Sequence, residues 1–465
     1  MNPSQLWHYA RQFRRNRVPG QLVIQMTDRC NALCPQCGMR TTEPFQRHRL
    51  GRDQMKRIVD HAGRRRIQAI SFTGGEPLLL LEDLVAMLNH AGAVGIPYIR
   101  TGTNGFVFRH PERPGFADRV SRLAARLAAT PVRNFWISID SADPATHEKM
   151  RGFDGVIAGI ERALPLFHAH GLYPSANLGI NRNLGGENSI PVLPRLHSVD
   201  QAADFRAACE QGLNRFFRLT AELGFTIANV CYPMSLPEET APGDMQAVYG
   251  ATSVDAVVAF ARHEKVLLFD SLARAIRANR PRLRIFAPLC SLHAMKQQLA
   301  EDAFGYACRG GVDFFFVDAV QGHTFPCGYR GREDGGVFGP EDPGPAEGSP
   351  DCYQCEWECF RDPSELIGPL CELLSRPAGL LRRLRRDPPF FRCWWEDLRY
   401  YRACGFFDGR QPADMEKLGA FARAVNPMRP DRRKANGVPT LTAQHPPMDR
   451  PTALLGRDGC ARRAG

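Results

Sequence analysis

Three cysteines lie close together in the stretch DRCNALCPQCGM, residues 28–39. They are Cys30, Cys34 and Cys37, in the spacing C-x3-C-x2-C. Thiolates are natural ligands of iron–sulfur clusters and of zinc, and a closed site of either kind uses four protein ligands. The next cysteine, Cys209, is far along the chain. Three thiolates therefore leave one coordination position open, as a catalytic metal site does for its substrate.

A second chemical feature follows the next predicted strand, in the stretch SFTGGEPLL. Gly74 and Gly75 allow a ligand to approach the backbone without a Cβ in the way. Glu76 follows directly, and its carboxylate can accept hydrogen bonds from an ammonium group. An amino-acid moiety could thus chelate an open iron while Glu76 holds its amine.

Together, the cysteine spacing and the GGEP turn resemble the radical S-adenosylmethionine (radical SAM) superfamily over about residues 21–240. The resemblance implies a [4Fe–4S] cluster on Cys30, Cys34 and Cys37, which would be the catalytic residues. It also implies that this cluster binds S-adenosylmethionine (SAM) through its methionyl amino and carboxyl groups. One electron would then cleave SAM to a 5′-deoxyadenosyl radical, which takes a hydrogen atom from the substrate. The implied fold is an α/β partial (β/α)6 TIM-like barrel, with the site at the carboxyl ends of the strands.

The resemblance implies further contacts to SAM. Thr103 and Asn104 would line its pocket, Ser138 would make a polar contact, and Arg151 would pair with the methionyl carboxylate. Asn181 ends the fifth predicted strand. The expected cofactor-binding residues are Gly74, Gly75, Glu76, Thr103, Asn104, Ser138, Arg151 and Asn181. Three thiolates could alternatively form a zinc site that His48 or His61 completes.

A second group of cysteines follows residue 300 and resembles the SPASM and twitch extensions of radical SAM enzymes. That resemblance implies one auxiliary [4Fe–4S] cluster on Cys308, Cys327, Cys352 and Cys355, with Cys359 able to replace one of them. A second auxiliary cluster and a zinc knuckle are the alternatives. An auxiliary cluster can accept an electron from a substrate radical, which favours net oxidation.

No partner by spacing is evident for Cys209, Cys231, Cys290 and Cys460, and buried free thiols are the simplest interpretation of them. Hydrogen-atom donation, as in radical epimerases, is an alternative for Cys290.

Short apolar strands must position these residues. Strands are predicted at 21–27, 68–73, 98–103, 134–140, 173–181 and 225–234, and amphipathic helical patterns alternate with them. This alternation predicts a parallel sheet. The stretch 310–328 reads as a hairpin within a small cysteine-rich α+β extension. The predicted organisation is a basic lead-in (1–19), the radical SAM core (20–285), the extension (286–425) and a disordered basic tail (426–465).

Composition narrows the class of protein. Of the 465 residues 43% are hydrophobic and 23% charged, and the formal net charge is +11. No apolar stretch is long enough for a membrane span, and no signal peptide is evident, so a cytoplasmic location is expected. The basic runs fit a solvated surface. An acidic partner is the alternative, and nucleic acid is disfavoured because no aromatic-interleaved binding motif accompanies them.

Three functions fit these observations. The first is a radical SAM oxidoreductase that modifies a peptide or protein, although no separate leader-peptide-binding domain is expected before the barrel. The second is a radical SAM dehydrogenase of a small metabolite or cofactor precursor. The third is a zinc-binding scaffold or a nucleic-acid-binding protein. Either enzyme would need an electron donor such as flavodoxin or ferredoxin.

Overall fold

The computed structural model describes residues 3–233, 245–303, 305–339 and 349–425. The strands are β1 (Gln21–Thr27), β2 (Ala69–Gly74), β3 (Tyr98–Thr103), β4 (Val132–Ser138), β5 (Ser175–Gly179), β6 (Ile227–Cys231), β7 (Arg284–Phe286), β8 (Phe314–Val317) and β9 (Thr324–Phe325). The predicted disordered tail, 426–465, lies outside the described residues.

Helices follow most of the strands. They are α1 (Pro3–Arg14), α2 (Arg52–Arg64), α3 (Leu81–Ala93), α4 (Phe116–Ala128), α5 (Pro144–Arg151), α6 (Val156–Ala169), α7 (Val199–Glu222), α8 (Arg262–Asn279), α9 (Leu289–Glu301), α10 (Glu358–Ser375), α11 (Pro377–Arg386), α12 (Pro388–Ala403) and α13 (Met415–Val425). Short 3-10 helices lie at Pro77–Leu80, Phe106–Phe108 and Gly405–Phe407.

One mostly parallel sheet organises the molecule, in the order β7-β6-β5-β4-β3-β2-β1-β8-β9. The six predicted strands are all present and pair in parallel with their chain neighbours, which confirms the predicted partial barrel. A seventh parallel strand, β7, extends the sheet beyond β6. It spans residue 285, the predicted end of the core, so the sheet runs across that position.

Both faces of the central strands are covered. All seven residues of β1 are buried, as expected for a parallel strand with helices on one face and a packed interior on the other. The helices contribute their apolar stripes to the core; Ile58 on α2, Leu84 on α3 and Ile160 on α6 are fully buried.

The predicted hairpin is confirmed, because β8 and β9 pair antiparallel. Its first strand also pairs in parallel with β1, from Gln21 opposite Phe314 to Ile24 opposite Val317. The cysteine-rich extension therefore continues the barrel sheet. Throughout the described ranges, no helix is both long enough and apolar enough to cross a membrane.

Candidate functional site

The loop after β1, residues 28–39, carries the three closely spaced cysteines and is called the cysteine loop below. Its backbone is tied to three other segments. Leu33 N–H donates to the carbonyl oxygen of Arg151 (3.1 Å), and Gly38 N–H donates to that of Thr252 (2.9 Å). Asp28 accepts from the backbone N–H of His48 and lies 3.0 Å from its Nδ1. These contacts hold the loop at the carboxyl end of the sheet.

Cys30, Cys34 and Cys37 all line one cavity of about 460 Å³ inside the barrel. Burial raises the pKa of Cys34 to about 12 and that of Cys37 to about 11. The neighbouring thiols add to both increases, so the three lie within electrostatic reach of one another. Bound metal is what turns such buried thiols into thiolates.

Neither histidine considered as a fourth ligand lies in the lining of this cavity. His48 is held by Asp28, and the ring of His61 packs edge-on against Phe338 at a centroid distance of 4.8 Å. In the described part of the chain, no three Cys, His, Asp or Glu side chains converge as a single-ion site. The ligand assignments therefore stay predictions.

The turn with Gly75 and Glu76 is fastened to the cysteine loop. Gly75 N–H donates to Thr27 O at 2.7 Å, and Glu76 N–H donates to Arg29 O at 2.9 Å. A Cβ on Gly75 would lie 2.1 Å from Arg29 O. The glycine is thus required because two backbones meet here, a reason that differs from the ligand approach expected from sequence.

The Glu76 carboxylate lines the cavity from a fully buried position. Its Oε1 accepts from Leu78 N–H at 2.9 Å and its Oε2 from Asn104 N–H at 2.6 Å. Burial raises the pKa of Glu76 to about 7, and these two backbone donors oppose the rise. A cation beside this carboxylate would favour its ionised form.

Asn104 links the carboxylate to the cysteine loop. Its side-chain Nδ2 lies 2.8 Å from Asn31 Oδ1 and 3.6 Å from Cys30 Sγ. Thr103 also lines the cavity, and its Oγ1 accepts from Gly105 N–H. Both residues therefore line the same cavity as the three cysteines and Glu76, and their contact to SAM stays a prediction.

Ser138 and Arg151 line the cavity as well, but Arg151 already has a partner. Its Nη2 donates to Asp140 Oδ2 at 2.5 Å, and both side chains are at most 8% exposed. Gln36 Nε2 donates to the same Asp140 oxygen at 2.7 Å. Arg151 Nε and Gln36 Oε1 are buried and have no hydrogen-bond partner within the described residues. These two atoms are free to meet a polar ligand.

Asn181 is placed differently from the other expected cofactor residues. It is fully buried and is not part of the cavity lining. Its Nδ2 donates to the carbonyl oxygens of Asp140 and Gly179, both at 2.8 Å, and its Oδ1 accepts from Asn183 N–H. In this arrangement Asn181 fixes the loops after β4 and β5.

The second cysteine group forms a separate site. Cys308, Cys327, Cys352 and Cys355 line one small cavity together. Cys308 N–H donates to Cys352 O at 2.8 Å. The segment just before the hairpin is thus joined through its backbone to the segment that carries Cys352 and Cys355. Burial raises the pKa of Cys327 to about 12 and that of Cys308 to about 11, and neighbouring thiols add to both.

Cys359 does not line the cavity of those four cysteines; it lines the barrel cavity instead. Trp357 lines both cavities and forms part of the wall between them. Cys290, the thiol considered as a hydrogen-atom donor, is fully buried at the start of α9, and its backbone N–H donates to Asp397. The barrel cavity therefore does not include Cys290.

Residues 24–180, about one third of the chain, match the family model described as the Radical SAM superfamily. That range contains the cysteine loop, the Glu76 turn and strands β2 to β5. The chain contains a radical SAM domain. The cysteine-rich region after residue 300 lies outside the matched range.

Three curated relatives show how far the likeness extends. GTP 3′,8-cyclase of Synechococcus sp. (strain CC9902) is 28% identical over 227 residues, 47% of this chain and 62% of the cyclase, so the chain spans less than two thirds of that protein. AdoMet-dependent heme synthase of Methanosarcina barkeri (strain Fusaro / DSM 804) is 23% identical over 79% of this chain and 92% of the synthase. PqqA peptide cyclase of Rhodopseudomonas palustris (strain ATCC BAA-98 / CGA009) is 28% identical over 30% of this chain and 33% of the cyclase.

Two solved structures show a limited likeness to this chain. Streptococcus suis SuiB bound to S-adenosylmethionine is 15% identical with a TM-score of 0.41, over 66% of this chain and 60% of SuiB. Native anSMEcpe with bound AdoMet is 13% identical with a TM-score of 0.43, over 70% of this chain and 79% of that protein.

Sequence reasoning missed several residues that line the cavity. Arg100 on β3, Trp136 on β4 and Asn177 on β5 all line it, as does Tyr249 from a connecting loop. The three strand residues could have been predicted from sequence, because side chains alternate between the two faces of a strand and polar side chains recur on the face toward the barrel interior. Tyr249 carried none, because its loop reaches the cavity only in the folded chain.

Proposed function

We propose that this chain is a radical SAM oxidoreductase that modifies a peptide or protein substrate by hydrogen-atom abstraction and net oxidation. One observation carries the proposal. The cysteine loop and Glu76 share a cavity, and Trp357 separates that cavity from a second site lined by four cysteines.

Cys30, Cys34 and Cys37 would hold a [4Fe–4S] cluster, and Glu76 would hold the ammonium group of SAM. The donor set fits this assignment, because one buried and two partly buried thiols line the same cavity. Glu76 has two backbone donors and no side-chain cation in hydrogen-bond contact among the described residues. When bound, SAM supplies the radical that removes a hydrogen atom from the substrate. The unpaired donor Arg151 Nε could meet the SAM carboxylate, and the unpaired acceptor Gln36 Oε1 could meet a SAM hydroxyl group.

The position of Trp357 between the two cavities supports oxidation of the substrate as the outcome of the reaction. The Trp357 ring packs edge-on against Tyr329 at a centroid distance of 5.4 Å and at a tilt against Tyr249 at 6.1 Å. Tyr329 and Tyr249 line the barrel cavity, and Tyr329 N–H donates to Cys327 Sγ at 3.4 Å. An auxiliary [4Fe–4S] cluster on Cys327 and its three neighbours would thus lie next to the substrate and could accept its electron.

The substrate class is the finer part of the proposal. Similarity to a peptide cyclase supports a peptide, which would reach the cavity through one inserted side chain. Reduced flavodoxin or ferredoxin in the cytoplasm would supply the electron for SAM cleavage.

A small anionic metabolite or cofactor precursor is the second candidate, and one residue favours it. Arg100 lines the cavity and its guanidinium lies over the Trp136 ring at 5.6 Å from the centroid. Among the described residues it has no carboxylate partner, so a substrate carboxylate or phosphate could pair with it. The similarity to AdoMet-dependent heme synthase, which covers 79% of this chain, also supports a small-molecule substrate.

Anaerobic reconstitution with iron and sulfide, followed by SAM and dithionite, tests the proposal. We expect iron in the chain and 5′-deoxyadenosine among the products. The triple variant Cys30→Ala, Cys34→Ala, Cys37→Ala should form no 5′-deoxyadenosine and keep the auxiliary iron. Zinc without iron after reconstitution would contradict the proposal and favour a scaffold. Binding of carboxylate- or phosphate-bearing metabolites that Arg100→Gln abolishes would favour the second candidate.

A further inference from the structure

A strongly basic cleft of about 460 Å³ lies where α1 meets the amino ends of β1 and β8. It is at the opposite end of β1 from the cysteine loop. The charged residues in its described lining are four arginines and one aspartate: Arg11, Arg15, Arg17, Arg65 and Asp313. Four positive charges and one negative charge leave the lining with a net charge of +3. The proposed function uses none of these residues.

The single aspartate of the cleft is already neutralised. Asp313 Oδ1 accepts from Arg17 Nε at 2.7 Å, and Oδ2 accepts from Arg309 Nη1 at 2.7 Å. The side chains of Asp313 and Arg309 are at most 5% exposed. Because each carboxylate oxygen already holds a guanidinium group, Asp313 does not balance the other arginines of the cleft.

Two of those arginines keep their charge available. Arg11 lies in the last turn of α1, Arg15 follows that helix directly, and both are exposed. Within the described residues no carboxylate pairs with either guanidinium. The guanidinium of Arg65 lies over the Phe315 ring, 4.6 Å from its centroid, which holds it against the wall of the cleft. The cleft is therefore suited to an anion.

Gln12 adds an unpaired acceptor to the same cleft. Its side-chain Oε1 is buried and has no hydrogen-bond partner within the described residues. A buried acceptor without a donor costs free energy, so a ligand that supplies a donor gains affinity there. Val18, Ile67 and Val312 give the rest of the lining an apolar character. The ligand should thus combine an anionic group, a hydroxyl group and some carbon surface.

We propose that this cleft binds a small molecule that carries a phosphate group and a hydroxyl group, as a sugar phosphate does. Phosphate suits the arginines because a guanidinium group can donate two parallel hydrogen bonds to its oxygens. The volume of about 460 Å³ is in the range of small-molecule sites, whereas a flat surface would favour a protein or a membrane. The inference goes beyond the proposed function and does not depend on it.

Calorimetric titration tests the proposal without iron loading or turnover. The full-length chain, purified anaerobically, is titrated with ribose 5-phosphate, inorganic phosphate and ribose at one ionic strength. We expect ribose 5-phosphate to bind more tightly than inorganic phosphate, and ribose not to bind. The double variant Arg11→Gln, Arg15→Gln removes two charged donors and should weaken binding of ribose 5-phosphate by about 100-fold.

A matched control separates the site from the net charge of the chain. Arg382 and Arg386 are also exposed, lie four residues apart and line a different cavity. The double variant Arg382→Gln, Arg386→Gln removes the same charge and should keep the affinity. Equal weakening in both double variants would show an adventitious ion only and overturn the inference.

Gln12→Met tests the hydroxyl contact, because methionine has a similar size and offers no amide oxygen. It should lower the affinity for ribose 5-phosphate by about 2- to 10-fold and leave that for inorganic phosphate unchanged. An unchanged ratio of the two affinities would overturn the assignment of Gln12.

Two other results would overturn the proposal as a whole. One is the absence of saturable binding of ribose 5-phosphate at millimolar concentration. The other is tighter binding of a glutamate-rich peptide, which would identify the cleft as a docking site for an acidic protein. Neither result bears on SAM cleavage, so the two proposals can fail separately.

Discussion

Asn104 donates its backbone N–H to Glu76 Oε2 across 2.6 Å, so the end of β3 holds the carboxylate that follows β2. The Asn104 side chain reaches Cys30 Sγ at 3.6 Å. Three neighbouring strand ends therefore meet around one carboxylate, which ties the position of Glu76 to that of the cysteine loop.

Replacing Glu76 tests its role toward SAM. Glu76→Gln keeps the size and one acceptor but removes the charge. Losing a hydrogen bond to a charged group costs about 1.5–3 kcal/mol, so we expect SAM affinity to fall by about 10- to 100-fold. Equilibrium dialysis with labelled SAM measures this, and iron content should be unchanged. Equal SAM affinity in the variant would contradict the assignment.

The close approach at Gly75 predicts a steric effect. Gly75→Ala places a Cβ 2.1 Å from Arg29 O, so the turn must move away from the cysteine loop. We expect a loss of about 1–3 kcal/mol in the free energy of unfolding, and poorer iron incorporation. Gly51→Ala is the matched control, because a Cβ there meets nothing within 4 Å and its φ is −70°. Similar denaturation midpoints for both variants would refute this account.

The buried pair of Arg151 and Asp140 predicts a large effect on stability. Asp140→Asn leaves the guanidinium uncompensated, and breaking one side of a buried pair costs about 3–5 kcal/mol. The exposed pair of Lys149 and Glu187 lies nearby at 2.9 Å. Glu187→Gln should change stability by about 1 kcal/mol or less. Urea denaturation of both variants distinguishes the two cases, and equal losses would count against the burial argument.

His147 predicts a pH dependence of stability. Its ring is fully buried, and its Nδ1 accepts from Asp140 N–H at 3.1 Å. Burial lowers its pKa from 6.5 to about 3, with Arg151 adding to the decrease. The unfolded chain therefore binds a proton below pH 6.5 that the folded chain does not, so stability falls as pH falls.

We expect His147 to cost about 1.4 kcal/mol of stability per pH unit between pH 6 and 4. His147→Gln should flatten this slope, whereas replacing the exposed His170 by Gln should leave it in place. Urea titrations at several pH values provide the measurement. A slope that persists in His147→Gln would show that other groups cause it.

Iron counting tests the ligand sets. Two [4Fe–4S] clusters correspond to about eight iron atoms per chain and one cluster to about four. Alanine at Cys308, Cys327, Cys352 or Cys355 should lower the count toward four, because those side chains share one cavity. Cys359→Ala should leave it at eight. A loss of iron in Cys359→Ala would restore that residue to the ligand set.

Sequence reasoning succeeded where local pattern decides structure. The buried run of β1 and the glycine–glutamate turn after β2 are read from residues next to each other, and the structure places both as predicted. It missed β7, which has three residues and too little pattern to distinguish it from the start of α9.

Other misses depend on the folded chain. Cys355 and Cys359 are four residues apart on either side of the start of α10, yet the first lines the small cavity and the second the barrel cavity. The direction of each side chain depends on where α10 begins, which spacing alone does not give. The pairing of Arg151 with Asp140 similarly joins the last residue of α5 to the loop after β4, a contact that forms only in the folded chain.

The hydrogen bonds between β8 and β1 have a consequence for how the chain could be divided. A fragment that stops before residue 310 would leave β1 with one open side. That side would expose unpaired amide and carbonyl groups on a strand with no charged residue, which is a template for self-association. Expression trials on such a fragment should therefore give aggregates, and the cysteine loop is best studied with its downstream region attached.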